Sequence, residues 1–164
     1  MKYFNLFSKK YKKVLAFDGG GVRAIMGVYF LKKLEQESSK SIFESFDLFI
    51  GTSAGATNAL LLGMNGLKIS ALEKFWTVDN LKKIMNQSFI DKTSIFQTRP
   101  KYSNEGKKEI LQTFFGNKKI GQSLKPVVVT AYDLEARKPI LISSYGDPEA
   151  VSYTHLTLPT ILRV

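Results

Sequence analysis

Apolar positions first cluster at VLAF (Val14 to Phe17), and the run stops at an aspartate followed by three glycines. A short apolar run closed by turn residues predicts a buried parallel strand. From Val22 to about Glu37 the apolar residues Ile25, Val28, Tyr29, Leu31 and Leu34 recur at helical spacing, with lysines and glutamates on the other face near the end. FDLFI (Phe46 to Ile50) predicts a second strand, and a helix follows through Ala59, Leu60 and Leu61 with Gly63 as its stop. Ile69 to Trp76 and Leu81 to Met85 read as helical, whereas Phe89 to Tyr102 mixes polarities and reads as loop. Asn104 is expected to cap a helix from Glu105 to Phe115, closed by Gly116. PVVVTAYDL, opened by Pro126, reads as a β-branched central strand, and PILISSY as its hairpin partner or neighbour. Strand, helix, strand, helix and later strands together predict an α/β domain with crossover helices on a parallel sheet.

Composition narrows the class. At 164 residues the chain suits one core, and 44% hydrophobic residues with 5 prolines make it globular. No apolar run reaches bilayer length, and MKYFNLFSKKYKK lacks the apolar stretch of a signal peptide. The absence of cysteine excludes disulfides, thiolate metal sites and a cysteine nucleophile, and it is compatible with the expected cytoplasmic location. The formal net charge is +10, and lysines crowd the first thirteen residues between Tyr3, Phe4, Phe7 and Tyr11. This segment reads either as a peripheral foot on anionic membrane or as a solvated terminus. Nucleic acid is not an expected partner, because no binding motif accompanies the charge.

Two motifs carry candidate chemistry. DGGGVRA (Asp18 to Ala24) follows a strand and opens a helix, so its amides gather where an anion or a developing oxyanion is stabilised. As a dinucleotide fingerprint it is weak: the second strand ends at Ile50 without a ribose-binding carboxylate, and no Gly-Lys-Ser/Thr follows. GTSAG (Gly51 to Gly55) places Ser53 on a strand-to-helix turn, with glycines two residues to either side and small Ala54 and Ala56 beyond. Such a serine is either a nucleophile at an elbow or a simple helix cap. Both motifs lie at the carboxyl ends of strands, and an amide cluster beside a serine points to acyl transfer.

DGGGVR, FDLFI and GTSAG in this order resemble the patatin-like phospholipase family, as does TAYDLEARKPILIS (Thr130 to Ser143). The resemblance runs from about Val14 to Ser143, with Ala24 in place of the family's usual glycine after the arginine. It implies a three-layer α/β/α fold with a mostly parallel sheet and a serine lipid acyl hydrolase acting on phospholipid or another acyl-lipid. Ser53 would attack the ester carbonyl as one half of a Ser-Asp dyad. Amides around Gly19, Gly20 and Gly21 would hold the oxyanion, Arg23 would fix that loop or stabilise the charge, and Gly51 and Gly55 would shape the elbow. Neither cofactor nor metal is implied.

The base is harder to place. The family's dyad aspartate lies in a later Asp-Gly-Gly or Asp-Gly-Ala, and neither follows Ser53 here. Asp133 is a weak candidate, Asp18 reads as structural, and Asp47 belongs at the opposite edge of the sheet. The order Ser53, Asp133 or Asp147, His155 matches that of α/β-hydrolases. His155, however, sits in VSYTHLTLPT, which resembles the translation of a DNA-library adapter, GTC TCT TAT ACA CAT CTG ACG CTG CCG ACG; the alternative is a genuine short strand with a Thr-rich edge. The expected organisation is therefore a basic tail over 1–13, a partial acyl hydrolase domain over 14–150 truncated before its base, and an adapter-derived tail over 151–164. On this expectation the chain is inactive as written. The other readings are a catalytically dead lipid-surface or scaffold module, and a soluble thioesterase, esterase or peptidase.

Overall fold

A computed structural model describes residues 11–84, 104–133 and 136–145. Its frame is one sheet of four strands in the order β1 (Val14–Phe17), β2 (Leu48–Gly51), β3 (Val127–Asp133) and β4 (Lys138–Ser143). The first three run parallel, and β4 returns antiparallel to β3 as a hairpin. Helices cover both faces, so the sheet is mixed but mostly parallel, as expected. VLAF forms a parallel strand at the predicted residues, but not the buried one expected: only Phe17 is buried, while Val14 and Ala16 are exposed. β2 starts two residues after Phe46, and just before it the Asp47 carboxylate accepts from the Lys13 amide at 3.1 Å. This contact sets Asp47 at the end of the sheet where β1 and β2 begin.

After β1 a 3-10 turn (Gly21–Ala24) leads into α1 (Ile25–Ser38), and α2 (Ile42–Ser45) precedes β2. Val28 and Leu31 are the buried residues of α1; Tyr29 and Leu34, expected on the same face, are exposed. The α2 turn is held by the Lys125 ammonium, which donates to the carbonyl oxygens of Phe43 and Phe46, the latter at 2.7 Å. α3 (Ala54–Asn65) follows β2 and ends at Gly66, whose left-handed conformation lets its amide donate to Leu62 O at 2.8 Å. Gly63 thus does not stop this helix. It lies inside it, where a Cβ would collide with Val127 Cγ2, so the missing side chain serves close helix-to-sheet approach.

The next segments are α4 (Ile69–Leu72), α5 (Val78–Ile84) and α6 (Asn104–Phe115). The predicted loop over Phe89 to Tyr102 lies outside the described residues. The core is formed by Phe49 and Val127 on the sheet, Leu61, Leu62 and Met64 on α3, and Ile69 and Leu72 on α4, all fully buried. Each such side chain contributes roughly 1.5–3 kcal/mol by leaving water. Among the described residues β4 is an edge strand, in which Ile142 faces the core and Leu141 faces out, with Pro139 at a position an edge tolerates.

Candidate active site

The pairing of Phe17 with Gly51 brings the turns after β1 and β2 side by side at the carboxyl edge of the sheet. They are joined there by the Thr52 amide, which donates to Phe17 O at 3.1 Å. The first turn of α3 lies so close that a Cβ on Gly55 would strike the carbonyl oxygens of Phe17 and Asp18, and one on Gly51 would sit 2.5 Å from Ala56 Cα. Both elbow glycines are therefore sterically required. On the other side, a Cβ on Gly19 would lie 3.2 Å from Ser53 Cβ, so the glycine turn abuts the serine directly.

Ser53 adopts φ 53 and ψ −125 at the head of α3 and makes no side-chain cap bond. For a residue with a Cβ this conformation costs about 1–3 kcal/mol, and it is retained here by the contacts on either side. The helix-cap reading thus lacks its hydrogen bond, and the Oγ is left for other work. The half-buried serine also sits at the positive end of the α3 dipole. Thr130 Oγ1 donates to Thr52 Oγ1 at 3.1 Å, tying the elbow to β3.

The glycine turn is built for donors. Gly20 at φ 151 and Gly21 at φ 58 take backbone conformations that side chains disfavour. Among the described residues, the amides of Gly19 and Gly20 donate no hydrogen bond. Arg23 folds back over this turn: its amide donates to Gly20 O at 3.2 Å and its Nε approaches the same oxygen at 3.5 Å. The exposed guanidinium stays beside the loop.

One residue that the motifs did not single out links these parts. Asn58 on α3 is fully buried; its Nδ2 donates to Ala24 O at 3.0 Å, and its Oδ1 accepts from Trp76 Nε1 at 2.8 Å. Its signal in the sequence is an amide standing among the apolar residues of NALLLGM.

The aspartates are dispersed. Asp18 is exposed, with no side-chain hydrogen bond among the described residues. Asp133 Oδ1 accepts from the Ala136 amide at 2.9 Å in the hairpin turn. Val129 is the register partner of Gly51, so Asp133 lies four residues further on; that is about 13 Å along the strand at ordinary rise. Asp147, His155 and the whole segment 151–164 lie outside the described residues.

Residues 15–158 match the family model for patatin-like phospholipase. The chain belongs to the patatin-like phospholipase family. The match continues past Ala150 into the segment read as adapter-derived. Among curated proteins the chain is 30% identical to Patatin-like protein 4 of Arabidopsis thaliana over 158 residues, covering 88% of this chain and 38% of that protein. It is 37% identical to Phospholipase A I of Arabidopsis thaliana over 73 residues, 44% of this chain and 5% of the other. It is 34% identical to Calcium-independent phospholipase A2-gamma of Rattus norvegicus over 64 residues, 39% of this chain and 8% of the other. The patatin-like chain thus spans well under half the length of these relatives.

Proposed function

We propose that this patatin-like chain carries the nucleophile and oxyanion half of a serine lipid acyl hydrolase of the phospholipase A type. The observation that carries this reading is the strained Ser53 backbone set directly against Gly19. Ser53 Oγ attacks the ester carbonyl, its proton passing to the base; the carbonyl oxygen takes up negative charge beside the Gly19, Gly20 and Gly21 amides. Collapse of this intermediate expels the alcohol and leaves an acyl-serine, which water then hydrolyses. Arg23, by gripping the Gly20 carbonyl, keeps the donors aimed. Phospholipid is the favoured substrate because two relatives are named as phospholipases A.

The base in this proposal is a dyad aspartate from an Asp-Gly-Gly or Asp-Gly-Ala segment absent after Ser53, and Asp133 is the weaker candidate. The non-native reading of residues 151–164 is part of this proposal and rests on the codon pattern alone, while the family match runs on to residue 158. A Lys-rich foot over 1–13 would add peripheral contact with anionic membrane.

Fluorophosphonate labelling read by mass spectrometry tests the nucleophile, and a long DNA read past the Ala150 codon tests the base. Label on Ser53 that is lost in Ser53→Ala supports the hydrolase, as does hydrolysis gained when the chain continues through an Asp-Gly segment. No label in either form favours a lipid-surface module with a dead site. Hydrolysis confined to soluble thioesters or short esters favours a thioesterase or esterase.

A further inference from the structure

The glycine turn has little packing of its own. A Cβ on Gly21 would meet nothing within 4 Å, and one on Gly20 would meet only the Arg23 side chain. With both residues at positive φ, bonds to neighbouring segments must hold such a turn in one conformation. At its near end Gly19 abuts Ser53, and the Arg23 amide donates to Gly20 O. Its far end is Ala24, the last residue of the 3-10 turn that begins at Gly21, and there Asn58 Nδ2 donates to the carbonyl oxygen. Ala24 lies five residues beyond Gly19, and Asn58 lies five residues beyond Ser53. The two segments are thus pinned at two matched points, about 7.5 Å apart along α3 at ordinary helical rise.

We infer that Asn58 is a positioning residue for the acyl-transfer site: it sets the far end of the glycine turn against the helix that Ser53 heads. Its amide can point only one way. Trp76 Nε1 donates only and the Ala24 carbonyl accepts only, so a reversed amide would set donor against donor and acceptor against acceptor. Among the described residues Asn58 is the one polar side chain buried in an otherwise apolar core. Stability alone is a weak reason for it, because apolar residues of the same shape can replace a buried hydrogen-bonded pair at almost no cost. What the amide adds is a fixed distance and direction between two segments. A developing oxyanion needs donors held in that way. This use of the spacing rests on the hydrolase reading; the linkage itself does not.

The test compares the full chain with Asn58→Leu, Asn58→Thr, Trp76→Phe and Ile110→Ala, each checked for folding by circular dichroism. Asn58→Leu removes both bonds. Asn58→Thr is the gentler form, since its hydroxyl stops short of Ala24 and turns to the helix carbonyl four residues back. Trp76→Phe frees Oδ1 but leaves the Ala24 bond, and Ile110→Ala opens a cavity on α6 with both bonds intact. The first readout, the line shape of the Gly19, Gly20 and Gly21 amide signals in nuclear magnetic resonance, needs no reaction. These signals are expected to broaden or split in both Asn58 variants and to stay single in Trp76→Phe and Ile110→Ala. The second readout is fluorophosphonate labelling of Ser53. In the Asn58 variants its maximal rate is expected to fall about tenfold, with the half-saturating probe concentration unchanged, because displaced groups lose rate and not binding. Parent-like glycine signals in a folded Asn58 variant, the same broadening in Ile110→Ala, or an unchanged maximal rate overturns the inference. A parent chain that takes no label removes only the hydrolase reading, and the glycine signals then decide this one.

Discussion

Asn58 and Trp76 form a hydrogen bond of 2.8 Å inside the core, and the other end of the same amide grips the carbonyl of Ala24. A single side chain therefore ties the segment after the glycine turn, α3 and the segment after α4 to one another. Asn58→Leu keeps the volume but strands the Trp76 N–H and the Ala24 carbonyl. We expect a loss of about 2–4 kcal/mol, read as a lower urea midpoint, since each unsatisfied buried group costs about 1–3 kcal/mol. An unchanged midpoint would show that the amide is dispensable.

Gly55→Ala is a harsher change. Its methyl would occupy the space of the Phe17 and Asp18 carbonyl oxygens, so α3 must move away from β1. The expected cost is about 3 kcal/mol by denaturant unfolding. Gly116, at φ 57 with open space around it, gives the contrast. Gly116→Ala there should cost only about 1 kcal/mol, through backbone preference alone.

Ser53→Gly should stabilise the protein by about 1 kcal/mol, because relief of the strained backbone outweighs glycine's entropy cost. Ser53→Ala retains a Cβ and should gain nothing. Thermal unfolding of the two variants side by side decides the matter; equal melting temperatures would show that the elbow holds no strain.

Lys107 on α6 has its pKa pushed below the ordinary 10.5 by burial of its ammonium group. The unfolded chain therefore binds this proton more tightly than the folded one, and protonation at neutral pH destabilises the fold. Lys107→Met should be more stable than the parent below the depressed pKa. The advantage should shrink as pH rises through that value and vanish above 10.5. Denaturant midpoints across alkaline pH would reveal the trend, and a gap constant with pH would refute it.

Much of this architecture was legible because it rests on local signals. VLAF has the brevity and turn residues of a strand, although its burial is overread because only Phe17 is buried, and GTSAG carries in its small residues the steric demand that the structure imposes at Gly51 and Gly55. Gly63 misled because a glycine near a helix end reads as a stop, whereas its reason lies across the core at Val127. Tyr29 and Leu34 fit a helical period, but periodicity does not state which side meets the sheet. Asn58 was hidden for the same reason: its partners Ala24 and Trp76 are 34 and 18 residues away. The base was not legible in the motifs, since no Asp-Gly-Gly or Asp-Gly-Ala follows Ser53.

The bond between Thr52 and Thr130 closes a span of 78 residues. The serine turn therefore gains this further tie only once β3 has docked. Parallel pairings between distant segments are slow to form. The Ser53 turn should thus reach its final geometry only after this long-range pairing has formed. Pulse labelling during refolding would time that event against the collapse of the core.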